Sequence, residues 1–244
     1  LRLRLICPQT LVRGLSVPSG RSSSPKRSRT RVPAGTCRSI SGTPVKLRPK
    51  STMCTPGAGV VTCFARVHGR RVVFVWTYEN LAALDPESGR IWWRIPFRAN
   101  HPDTSNAVSP LVYGDVVLVS GYQVGSLCVR MQPDGSYREL WRGKKDVLDS
   151  HYNNLVCRDG YVYGFGTVGS GLRCVELETG DLMWRWKSRL RNAASIGVGD
   201  KLILFDERGR LASLRMHPDD YEPGSMTARG MLSGRCVSAP ALSG

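Results

Sequence analysis

Two ten-residue stretches, LDPESGRIWW (84–93) and VELETGDLMW (175–184), set a carboxylate, a hydroxyl, a glycine and an indole at the same spacing. The groups are Asp85, Ser88, Gly89 and Trp93 in the first, and Glu176, Thr179, Gly180 and Trp184 in the second. A carboxylate in such company could serve as a general base or a calcium ligand, and an indole could stack on a bound ring. A catalytic carboxylate is needed once, however, and this arrangement returns after 91 residues. Recurrence argues for architecture. The acid and hydroxyl then cap turn amides, the glycine takes a conformation that L-residues resist, and the tryptophan covers a neighbouring element. A looser copy runs through Gly135 to Trp141, with Met131 where the acid would stand.

The densest polar run elsewhere is DSHYNN (149–154), from which His151, Asn153 and Asn154 are the candidates for a functional loop; a solvated loop is the plainer reading. Eight cysteines (Cys7, Cys37, Cys54, Cys63, Cys128, Cys157, Cys174 and Cys236) are widely spaced, with no C-x-x-C pair and no histidine cluster. That spacing excludes zinc and thioredoxin-like chemistry, and most are expected to be small buried free thiols. His68, His101 and His217 stand alone and are expected at the surface.

The elements that must hold these residues repeat with them. Gly89, Gly135 and Gly180 are 46 and 45 residues apart. A second landmark precedes each: ARVHGRRVVFVW (65–76), PLVYGDVVLVSG (110–121), NLVCRDGYVYGFG (154–166) and SIGVGDKLILFD (195–206). Gly-Asp or Asp-Gly between runs of β-branched and aromatic residues signals a tight hairpin, because the turn needs positive φ. Each unit of about 45 residues thus supplies four antiparallel strands, which is one propeller blade. We expect about four blades from residue 56, the fourth with an irregular third turn at LASLRMHPDDYEPG (211–224), and the start of a fifth at APALSG (239–244).

The formal charge of +16 does not belong to the blades. Residues 1–78 hold 15 Lys and Arg and no acid, whereas residues 79–244 hold 20 basic and 19 acidic residues. A specific nucleic-acid surface is therefore not expected on the repeats, and the basic cluster around WRWKSRLR (184–191) reads as an outer strand and a polar loop. Residues 1–55, rich in Arg, Ser, Pro and Thr, lack sustained periodicity and are expected to be disordered, a targeting segment, a basic tail, or not the authentic partner of the repeats. No run reaches the roughly 18 apolar residues of a membrane helix. With Leu1 as its first residue, the chain is expected to be a fragment.

The pattern acidic-x-x-[Ser/Thr]-Gly-x-x-x-Trp, at Asp85 to Trp93 and Glu176 to Trp184, resembles the tryptophan-docking motif of the pyrroloquinoline quinone (PQQ) repeat. Quinoprotein alcohol dehydrogenases share this repeat with the lipoprotein scaffold of the outer-membrane β-barrel assembly machine. The resemblance covers residues 56–244. A WD40 propeller would want Trp-Asp pairs, and none occurs. A quinoprotein dehydrogenase would add a calcium site, a catalytic aspartate and, in many members, two adjacent cysteines; no Cys-Cys pair is present.

The expectation is thus an all-β chain: a partial β-propeller of about four four-stranded antiparallel blades at 56–244, behind a disordered basic segment at 1–55. The resemblance implies a monomeric, non-catalytic protein-binding or scaffolding module in an extracytoplasmic compartment, with no cofactor and a protein partner. The alternative is a fragment of a PQQ-dependent alcohol or sugar oxidoreductase using PQQ with calcium.

Overall fold

The computed structural model of the chain describes residues 60–98, 106–143, 146–166, 171–187, 190, 193–228 and 230–231; the expectations placed on 1–55 and 239–244 lie outside them. Sixteen strands and no helix occur among the described residues. They form four antiparallel four-stranded sheets whose strand order follows chain order. Blade 1 comprises β1 (Val61–Val67), β2 (Arg70–Trp76), β3 (Asn80–Leu84) and β4 (Ile91–Pro96). Blade 2 comprises β5 (Leu111–Tyr113), β6 (Val116–Gly121), β7 (Gly125–Met131) and β8 (Tyr137–Gly143). Blade 3 has β9 (Val156–Arg158), β10 (Tyr161–Gly166), β11 (Gly171–Glu176) and β12 (Leu182–Trp186). Blade 4 has β13 (Ala194–Val198), β14 (Lys201–Phe205), β15 (Leu211–Arg215) and β16 (Glu222–Met226). The first strands of successive blades lie against one another, which places them innermost in a partial propeller.

Three apolar clusters fill the three junctions. Phe74, Trp76 and Leu81 of blade 1 meet Val117, Val119 and Val129 of blade 2. Val116, Leu118 and Cys128 on the other face of blade 2 meet Val162, Val175 and Leu177 of blade 3. Tyr163, Leu172 and Cys174 meet Leu202, Leu204 and Leu214 of blade 4. Because side chains alternate across a strand, a blade with two neighbours must be apolar on both faces. Every residue of β6 is accordingly buried, whereas burial in β2 and β15 alternates.

The third and fourth strands of every blade share a register shift. In blades 1 to 3 it falls beside the pairs Ala83 with Trp93, Cys128 with Trp141 and Cys174 with Trp184. A bulge re-aims the side chain next to it, and in each of these blades the residue beside the shift is the repeated tryptophan. Cys128 and Cys174 are buried free thiols, and Cys63 and Cys157 are half-buried. Burial pushes the thiols of Cys128, Cys157 and Cys174 up to about 12, so they stay protonated and unreactive near neutrality.

Candidate functional site

The acid, hydroxyl and glycine of the motif lie in the turn between the third and fourth strands. In blade 1, Asp85 Oδ1 accepts from the Glu87 amide at 2.9 Å and Oδ2 from Ser88 Oγ at 2.7 Å. Ser88 Oγ accepts from the Arg90 amide at 3.2 Å, and the Gly89 amide donates to the Asp85 carbonyl at 2.9 Å. Blade 3 repeats this. Thr179 Oγ1 donates to Glu176 Oε2 at 2.7 Å and accepts from the Asp181 amide at 3.2 Å, while the Gly180 amide donates to the Glu176 carbonyl. In blade 2, around Gly135, Asp134 accepts from the amide and hydroxyl of Ser136 at 2.8 and 2.7 Å. The hydroxyl bonds to Asp85 and Asp134 hold both carboxyls below the usual carboxylate range. An acid held ionised by its own turn is a poor general base near neutrality.

Each tryptophan crosses to the next blade, but not in the same way. Trp141 donates its indole N–H to the Leu177 carbonyl at 2.8 Å, and its ring lies over Gly180, where a Cβ would sit 2.6 Å from Trp141 Cδ2. Trp184 donates to the His217 carbonyl at 2.8 Å, with Tyr221 stacked on Trp186 beside it. Trp93 packs against Phe74 and Tyr137, and its indole N–H finds no acceptor among the described residues. The carbonyl matching that of Leu177 is Met131, which accepts instead from His68 Nε2 at 2.9 Å. His68 is thus at the surface, as its sequence context implies, but it does not stand alone: it bridges blades 1 and 2.

Register exposes an alternation that the sequence hides. Val116 pairs with Arg130 as Tyr161 pairs with Glu176, so Arg130, not Met131, occupies the acid's place in blade 2. Blade 4 places Arg215 opposite Lys201 in the same way. Arg130 Nε lies 3.3 Å from Asp115 and Arg215 Nε lies 3.0 Å from Asp200, each Asp being in its own blade's first turn. The first turns alternate too. In blades 1 and 3 both central residues have positive φ: His68 and Gly69 (47° and 75°), then Asp159 and Gly160 (50° and 82°). In blades 2 and 4 only the leading glycine does, at Gly114 and Gly199 (61° and 60°). The repeating unit is therefore two blades. Arg130 also reaches into blade 3, where its Nη2 is paired with Glu178.

The DSHYNN run joins blade 2 to blade 3 and is largely a wedge. Asp149, Ser150 and Asn153 are buried. The Ser150 amide donates to Ser120 Oγ at 3.0 Å and its hydroxyl to the Phe165 carbonyl at 2.8 Å. Asp149 lies 3.5 Å from Arg173 Nη1 in a fully buried pair, and a Cβ on Gly166 would collide with that guanidinium. Asn154 ties three blades at their inner ends: its Oδ1 accepts from the Ser109 amide at 3.2 Å, and its carbonyl accepts from Ser195 Oγ at 2.7 Å. His151 is half-buried, and Tyr152 and Asn154 reach the surface. His151 is stacked between Tyr122 at 4.4 Å and Tyr152 at 3.6 Å, and Tyr152 is exposed. Partial burial lowers the His151 pKa against the pull of Asp149, so the ring is neutral near pH 7.

A calcium–quinone centre makes demands that these residues do not meet. Calcium takes six to eight oxygen ligands. The motif's carboxylates stand in separate turns, bonded to their own hydroxyls and amides, and no group of three His, Cys, Asp or Glu among the described residues is placed to hold a metal. The donor set does not fit PQQ with calcium. Two open hollows of about 510 and 420 Å³ contain none of the motif residues.

A family model described as outer membrane protein assembly factor BamB (PQQ_2) matches residues 46–186. No curated protein matches the sequence. Among solved structures, BamB from Moraxella catarrhalis is similar at 16% identity and a TM-score of 0.50, over 66% of this chain and 48% of that one. The computationally designed Ika4 protein is similar at 10% identity and a TM-score of 0.49, over 66% of this chain and 92% of that one. Hsv2 of Kluyveromyces lactis is similar at 14% identity and a TM-score of 0.44, over 65% and 49%. The chain thus spans about half the length of the BamB structure it matches.

Proposed function

The chain belongs to the PQQ-repeat family of outer membrane protein assembly factor BamB, and from that premise we propose that it is a non-catalytic scaffold that binds another protein. The observation that carries this reading is how the polar groups are used. Asp85, Ser88, Glu176, Thr179, Asp149, Ser150 and Asn154 all spend their hydrogen bonds on turns and blade junctions. The DSHYNN loop, together with Tyr122 of the β6–β7 turn, presents the Tyr122–His151–Tyr152 stack, an aromatic surface of the type that anchors protein partners. Family membership supports an extracytoplasmic location beside envelope assembly factors.

The test has two arms. Supplying PQQ and calcium to the chain and following dye-linked oxidation of alcohols and sugars should give no turnover. Immobilised chain should retain a purified outer-membrane assembly factor, and Tyr152→Ala should weaken retention about tenfold, roughly the loss of one aromatic contact. Robust turnover, or retention indifferent to Tyr152, would overturn the reading.

A further inference from the structure

The hollow of about 420 Å³ lies at the junction of blades 3 and 4, where the first turns of both blades meet the end of β15, and its walls include Asp159, Tyr161, Tyr163, Asp200 and Met216. Strand register matches Asp159 to His68, 91 residues earlier, and Asp200 and Met216 to Asp115 and Met131, 85 residues earlier. The backbones agree as well. Asp159 and His68 have φ of 50° and 47°, and the Met216 and Met131 amides donate to the Asp200 and Asp115 carbonyls at 2.8 and 2.9 Å. Between blades 1 and 2 the His68 imidazole bridges this place: its Nε2 bonds the Met131 carbonyl and lies 3.9 Å from Asp115. A carboxylate cannot donate to a carbonyl, so Asp159 cannot make that bridge, and it turns to Arg158 at 3.1 Å. The same kind of junction is bridged by an imidazole in one place and left hollow in the other.

The neighbouring differences suit a guest ring. Tyr161 and Tyr163 stand where blade 1 has Arg70 and Val72, so two aromatic rings replace a cation and a small aliphatic side chain. A ring face attracts an imidazole whether neutral or protonated, whereas an arginine repels the protonated form. Arg158 and Arg215 also line the hollow, but each is committed to an acid of its own blade. Arg158 holds Asp159 and the Gly199 carbonyl, and Arg215 holds Asp200 at 3.0 Å. A carboxylate has two oxygens, so each acid can accept a second donor.

We propose that this hollow binds the imidazole of a histidine presented by a partner protein, which donates to the Met216 carbonyl beside Asp200 and stacks on Tyr161. The source of the histidine rests on the protein-binding reading above; the pocket itself does not. The hollow opens at the first-turn end of the blades, opposite the end that carries Tyr122 in a second turn, so the two surfaces are separable by mutation.

The probe is N-acetylhistidine methylamide, titrated into the 244-residue chain at neutral pH. The NMR reporter is the Trp184 indole N–H, which is bonded to the carbonyl of His217 in the wall of the hollow. Saturable shifts with a Kd of about 1–10 mM are expected of a single side chain in a pocket, and N-acetylalanine methylamide should give none. Asp159→His supplies the imidazole from the chain itself. It should weaken the probe at least about tenfold and raise the Tm by about 2–4 °C, the gain of one hydrogen bond in a chain of this size. Tyr161→Arg, which installs the blade 1 residue, should weaken the probe to the same extent, and Tyr152→Ala should leave its binding unchanged. No saturable shift, an equal shift from the alanine probe, or binding indifferent to both Asp159→His and Tyr161→Arg overturns the proposal. Retention of the assembly factor should also fall in Asp159→His; retention unchanged by it overturns the assignment of the histidine to that partner. Saturable probe binding by a chain that retains no assembly factor would uphold the pocket and count against the protein-binding reading.

Discussion

Blades 1 and 3 and blades 2 and 4 solve the same folding problem with opposite charges. In the odd blades an acid ends the third strand and caps the adjoining turn, as Glu176 does with Thr179. In the even blades an arginine ends that strand and holds the aspartate of the preceding hairpin, as Arg130 does with Asp115. The difference extends to the backbone, because a hairpin with two positive-φ residues twists differently from one led by glycine alone. Junctions therefore come in two kinds. The even-to-odd junction has a filled glycine seat, an indole bond and a cross-blade ion pair, whereas the first odd-to-even junction has no indole bond and is joined by His68 to the Met131 carbonyl, Arg142 to the Pro96 carbonyl, and apolar packing.

The strongest way to break this contrast is Trp141→Ala. It removes a buried ring and the bond to Leu177, and should cost about 3–5 kcal/mol in urea unfolding. Next comes a matched pair of glycine substitutions. Gly180→Ala drives a Cβ into the Trp141 ring and should cost about 1–3 kcal/mol more than Gly89→Ala, which meets no neighbour and bears only the strain of its φ of 72°. Equal losses would show that the seat does not distinguish the junctions. The smallest effect is electrostatic. Arg130→Met should cost about 1 kcal/mol and lose its effect as salt rises, whereas Arg71→Met, which breaks a pair between two mostly exposed side chains, Arg71 and Glu87, should change stability by less than about 0.5 kcal/mol.

Much of the fold is legible in the sequence because its signals are local. The hairpin dipeptides and the 45-residue glycine period each report a backbone conformation that few other residues adopt, so the four blades and their strand order can be read directly. The turn role of Asp85 and Glu176 follows from recurrence alone. Pairings between distant segments leave no such trace. His68 is solitary in the sequence yet bonds a carbonyl 63 residues away. The extra residues in the blade 2 turn slide Met131 into apparent alignment with the acids, and only strand register shows that Arg130 stands there. Asn154 reads as one more polar loop residue, because nothing local says that its two oxygens serve blades 2 and 4. One long-range pairing does leave a mark: Asp115 to Arg130 and Asp200 to Arg215 are both spaced by 15 residues, which one hairpin and its return strand would require.

In all four sheets the strand order is simply the chain order. Every hairpin then unites segments that leave the ribosome one after the other, and no strand waits for a distant partner, so the entropy of loop closure stays small. A nascent blade can pair its four strands as they emerge and needs only the next 45 or so residues to cover its exposed face. Synthesis would thus add blades to a growing stack, with each new blade shielding the apolar surface left by the last.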